Sequence, residues 1–107
     1  MKKIENTVLE ELKDSLGQLL KDNSFRLLLF GSRARGDYDL ESDFDLALIV
    51  KNLNRNLRNS ILEMTAEIEF KYDFPVSLLI FSEDTFNHLK EKERRIALDI
   101  EREGIPV

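Results

Sequence analysis

Asp43 and Asp45 stand one residue apart at the head of an apolar run, residues 46–50. Upstream, a second apolar run over residues 27–30 drops into Gly31-Ser32, and Asp43 follows that serine by 11 positions. Along a β-strand, residues i and i+2 point to the same face, so the two aspartates project together while Phe44 turns into the core. Two carboxylates a few ångströms apart repel each other unless a cation sits between them. Oxygen donors, with no cysteine and with the lone His88 far away in sequence, favour Mg²⁺ or Mn²⁺ over Zn²⁺. Magnesium usually takes one or two carboxylates and completes its shell with waters and substrate phosphates.

The Gly31-Ser32 turn fits the phosphate end of such a substrate. Gly31 lets the backbone approach an anion closely, and Ser32 offers a hydroxyl and an amide where a helix should begin. Arg33 and Arg35 add positive charge beside it; phosphate contacts and plain surface cations are the two readings open for them. Gly-Ser alone would suit an ordinary turn with a helix cap. Aspartate, however, is depleted in strands, and here two of them open one. The full constellation is what points to nucleotide chemistry.

The flanking chain supplies the elements to position it. Apolar residues at Ile4, Val8, Leu9, Leu12, Leu16, Leu19 and Leu20 have helical spacing, predicting an amphipathic helix over 4–20 that packs one face on a sheet or on a partner. Residues 25–30 and 44–50 are short apolar runs between turn signals and read as buried strands. Between them, residues 33–41 read as one helical turn and a loop. A helix is expected from Asn54 or Arg55 to about Phe70, ended by the extended bias of the residue before Pro75. Residues 76–81 form a third strand. Ser82 caps a charged stretch over 85–103 that reads as one or two helices, with a break near Lys92 and Glu93, a stop at Gly104 and a short edge segment after it. The expected fold is α/β (α+β): a small mixed sheet of three to four strands flanked by helices, in a single domain over 1–107.

Composition narrows the function. At 107 residues the chain suffices for one core but not for a separate substrate domain. A net charge of -5 and no block of five or six consecutive basic residues argue against direct nucleic-acid binding, while a metal-chelated nucleotide remains compatible. There is no cysteine to form a disulfide or thiolate site. The acidic N-terminal stretch lacks a signal peptide's apolar core, and no apolar run approaches a membrane span, so a cytoplasmic location is expected.

These motifs carry a family likeness. Gly31-Ser32 followed by Asp43-Phe44-Asp45 resembles the signature of the DNA polymerase beta-like nucleotidyltransferase superfamily. The longer string Gly31-Ser32-Arg33-Ala34-Arg35-Gly36-Asp37 and the small size look most like its minimal nucleotidyltransferases, the MNT type. The resemblance implies that Gly31 and Ser32 hold a triphosphate, that Asp43 and Asp45 bind Mg²⁺ (or Mn²⁺), and that Arg33 and Arg35 steady the phosphates. It further implies ATP as substrate and a helical HEPN-domain protein as partner, with the chain acting as an antitoxin that transfers AMP to that toxin. Such enzymes carry a third carboxylate on the strand after the middle helix. Here that strand has no acid; Ser77 falls at the place. Asp73 lies about 13 Å earlier along the chain and reads as a turn residue. Glu67 and Glu69 read as solvated. The alternative to an enzyme is therefore a binding module of the same fold that neutralises a HEPN partner by contact. Acceptor, nucleotide preference and oligomeric state are not fixed by the sequence.

Overall fold

In the computed structural model, which describes residues 3–36 and 44–107, nine elements follow one another. They are α1 (Lys3–Leu19), β1 (Phe25–Leu29), α2 (Ser32–Arg35), β2 (Phe44–Val50), α3 (Arg55–Tyr72), β3 (Val76–Ser82), α4 (Glu83–Glu91), α5 (Arg95–Glu103) and β4 (Ile105–Pro106). The strands form one mixed sheet in the order β3-β2-β1-β4. β1 runs antiparallel to both β2 and β4, and β2 runs parallel to β3 with α3 as the crossover. This is the expected small mixed sheet of four strands with flanking helices. Among the described residues, no helix is long and apolar enough to cross a membrane.

Strand alternation sorts the side chains onto two faces. On one, Leu27, Leu29, Phe44, Leu46, Leu48, Val50 and Ile80 meet Val8, Leu12 and Leu16 of α1, Leu20 in the turn after it, and Ile61 and Ile68 of α3. On the other, Leu28, Ala47 and Ile49 meet Phe86 of α4 and Ala97 and Ile100 of α5. Glu11 of α1 accepts from Lys71 Nζ at 2.7 Å and Tyr72 Oη at 3.0 Å, joining the two helices of the first face at the surface. The hydrogen bond from Lys71 holds the Glu11 carboxyl below its usual range, and the same contact raises Lys71.

Several ends differ from expectation. α3 runs on to Tyr72 and is closed by Asp73 in the left-handed conformation, φ 47°, its N–H donating to Glu69 O, so the cap stops the helix before Pro75 can. The charged stretch does break, at Lys92 to Arg94, with Glu93 at φ 54°. Gly104 ends α5 at φ -64° rather than by a left-handed turn. A Cβ there would lie 2.3 Å from Ile100 O, so glycine is required by close approach as the chain folds back to zip β4 onto β1. In α1, Ile4 is exposed and Glu5 takes the buried position on the apolar stripe.

Candidate active site

The site residues gather where β1 ends and β2 and β3 begin. Phe30 N–H donates to Asp45 O at 3.1 Å, carrying the β1–β2 ladder one rung past Leu29↔Leu46. The next residue, Gly31, has φ 79°, a conformation that side-chain-bearing residues rarely adopt. A Cβ on Gly31 would sit 2.6 Å from Asp45 Oδ2 and 3.3 Å from its Cγ. The aspartate side chain thus folds directly over the glycine's α-carbon, and only hydrogen fits there. Arg35 N–H donates to Gly31 O at 3.1 Å, closing the single turn of α2 on which Ser32 is first.

On the opposite flank of Asp45 lies β3. The parallel register sets Asp45 against Ser77, and strands in register present paired residues on the same face, with strand axes about 4.8 Å apart. Ser77 is exposed while Asp45 is half-buried. By alternation both share the face of Ala47 and Ile49, beneath α4 and α5, whereas Phe44 is fully buried on the other. Asp43 lies outside the described residues. Asp73 is occupied as the α3 cap, and His88 is an exposed residue of α4.

The two arginines separate sharply. Arg35 is exposed and bonds Glu103 of α5 at 3.0 Å. Arg33 is buried: its Nη1 donates to Glu5 of α1, and its guanidinium lies 5.5 Å from the centroid of Phe44 and 5.7 Å from that of Phe74. Those two rings meet edge to face at 5.4 Å. The plain surface-cation reading therefore does not describe Arg33. It clamps α2 to α1, to the strand that carries Asp45 and to the approach to β3. Sequence reasoning missed Glu5, although its spacing to Leu9, Leu12 and Leu16 places an acid on an apolar stripe, and that is itself a signal of a buried partner. Glu69, read as solvated, accepts from Val76 N–H at 3.1 Å and caps the start of β3.

Among the described residues, no group of three or more His, Cys, Asp or Glu side chains is close enough to hold a metal. The described acid at the turn is Asp45, a hard oxygen donor beside a glycine whose bare α-carbon leaves that carboxylate room. An oxygen donor of this kind fits a Mg²⁺-type ion and does not fit a closed structural zinc site. A groove of about 380 Å³, lined by Phe25, Arg26, Ile49 and Phe86 among others, lies at the other end of β1 and β2, away from these residues.

Comparison with known proteins agrees with this geometry. The chain is 37% identical over 75 residues to the "Putative protein adenylyltransferase MJ0141" of Methanocaldococcus jannaschii, covering 69% of this chain and 76% of that protein. It is 30% identical over 83 residues to the "Putative protein adenylyltransferase MJ0604" of the same organism, covering 78% and 79%. The family described as Nucleotidyltransferase domain matches residues 9–103, a span from the body of α1 to the end of α5 that includes the glycine turn, Asp45 and Ser77. With that match and the glycine–aspartate contact at its centre, the chain belongs to the nucleotidyltransferase domain family.

Proposed function

We propose that the chain transfers AMP from ATP to a hydroxyl of a partner protein, a HEPN-domain toxin that it thereby neutralises. The observation that carries this reading is the packing of the Asp45 carboxylate over the α-carbon of Gly31. It fuses the phosphate turn and the acidic strand into one unit. Both relatives are named "Putative protein adenylyltransferase", which supports the reaction class and the kind of acceptor. The toxin partner rests on the family resemblance of the motif string.

In this scheme the backbone at Gly31 and Ser32 approaches the triphosphate, and Arg35 supplies positive charge from the exposed face of α2. Asp45 and Asp43 would hold the divalent ion, which when bound neutralises phosphate charge and favours in-line displacement. The acceptor oxygen bonds to the α-phosphorus, the bond from that phosphorus to the β-phosphate bridging oxygen breaks, and pyrophosphate leaves. The acceptor's proton passes to water or a nearby base. Ser77, next to Asp45 in register, can orient a water by hydrogen bonding but is a poor proton acceptor. Arg33 takes no phosphate in this scheme; it positions α2.

The test is incubation of the chain with Mg²⁺, α-labelled ATP and a HEPN-domain partner. Label on the partner that depends on Asp45 is expected. The Asp45↔Ser77 register favours a second reading, a binding module with little or no turnover, because Ser77 stands where an acid would complete the site. Neutralisation of the partner without any transferred label would establish that reading instead.

A further inference from the structure

β3 is an edge strand: β2 pairs with one side of it, and it ends the sheet order. Its outward backbone groups can be identified from what they bind. Val76 N–H donates to Glu69 Oε2 at 3.1 Å, and Arg58 Nη1 donates to Ile80 O at 3.0 Å, both partners belonging to α3 rather than to β2. Backbone groups alternate sides along a strand, so Val76, Leu78 and Ile80 direct their N–H and C=O groups away from the sheet. α3 thus holds the two ends of the edge with one acid and one base and leaves Leu78 between them. Leu62, 48% exposed, follows Arg58 by one helical turn and so lies on the same flank of α3. A long apolar edge of this kind is a template for another strand unless it is blunted by charge, bulge or cover.

The chemistry of the two caps makes the edge self-complementary. An antiparallel pair of β3 strands related by a two-fold axis at Leu78 would set Val76 of one copy opposite Ile80 of the other. In that arrangement Val76 N–H donates to the partner copy's Ile80 C=O, replacing the cap on each. Glu69 released from one copy then lies near Arg58 released from the other, twice over by symmetry. About six backbone hydrogen bonds form along such a ladder. A two-fold interface brings each patch against its own copy, so the exposed Leu62 of both α3 helices comes to the same side of the seam. The opposite face of the joined sheet keeps both Asp45–Ser77 sites open.

We propose that the chain forms a homodimer through antiparallel pairing of β3, with Glu69 and Arg58 exchanging their strand caps for a reciprocal ion pair between copies. Multi-angle light scattering on the full chain should give twice the 12.5 kDa chain mass. Arg58→Glu alone and Glu69→Arg alone each place like charges at both crossings, and each should run as a folded monomer by circular dichroism and light scattering. Mixed in equal amounts, the two variants restore both attractive crossings, and a heterodimer should appear that neither forms alone. The R58E/E69R double variant should likewise be dimeric. A wild-type monomer at about 100 μM, or single variants that dimerise as well as the wild type, would overturn the proposal. So would a β3 edge that pairs only with a different protein.

Discussion

The two faces of the sheet are built on different terms. Under α1 and α3, Val8, Leu12, Leu16, Phe44, Leu46, Leu48, Val50 and Ile61 are all fully buried, and large side chains interdigitate. Under α4 and α5 the contact relies on Ala47 and Ala97 with Phe86, Leu28, Ile49 and Ile100, and β3 shows that face an exposed Ser77 and a half-buried Phe81. The first face concentrates apolar burial, the dominant favourable contribution to folding. Among the described residues the second covers its Asp45 end less fully, and that is the end at which the proposed nucleotide would enter. In the proposed function, stability and chemistry are divided by strand alternation, since neighbouring residues of β2 face opposite sides.

The division can be broken where it is bridged. Arg33→Met removes Glu5's arginine partner inside the first face and should cost about 3–5 kcal/mol in urea unfolding, with part of the loss recovered by adding Glu5→Gln. A variant that unfolded no more easily than wild type would show that the clamp is not what joins α2 to α1. Asp45→Asn, on the second face, should do the reverse. Labelled-AMP transfer falls by about 100-fold or more, while the unfolding midpoint stays near that of wild type.

Gly31→Ala tests the seam between the faces. It forces both a left-handed residue and a clash with Asp45, and should cost about 1–3 kcal/mol along with transfer. Ser77→Asp sharpens the comparison from the other direction, since a carboxylate in register with Asp45 should raise transfer by at least about tenfold. No gain would mean that the open face is limited by something other than the missing acid. The smallest effect belongs to the surface contact between α1 and α3. The Glu11 carboxyl is held low by Lys71, so its contribution is present at neutral pH and is lost as pH falls through its depressed folded value. Lys71, raised by Glu11, loses its contribution only as pH rises through its elevated value. Glu11→Gln should therefore narrow the difference between wild-type stability at neutral and acid pH, and its exposure makes the change small.

Much of this arrangement could be read from residue order. The bounds of β2 followed from the apolar run itself, and the strand expected over 76–81 runs from Val76 to Ser82. What the sequence concealed were choices made by tertiary contact. Arg33 and Arg35 sit two residues apart, and tertiary contacts to Glu5 and to the Phe44 and Phe74 rings, rather than anything local, set the buried one apart from the exposed one. Glu69 looks like any acid on a charged helix until the crossover brings the start of β3 within its reach. Asp73 pre-empts Pro75 as a helix stop because an aspartate tolerates left-handed geometry, a preference too weak to outrank proline on paper. Asp43 lies outside the described residues, so the second aspartate of the motif rests on its spacing.

The contact between Gly31 and Asp45 also bears on how such a chain can change over generations. A larger residue at 31 has nowhere to go while an aspartate occupies 45, and a longer acid at 45 would press on the same α-carbon. The two positions are 14 apart in sequence, yet the side chain at 45 and the bare α-carbon at 31 limit each other. A library that randomises both should still return glycine at 31, because its φ of 79° strains any side chain there even where residue 45 is small.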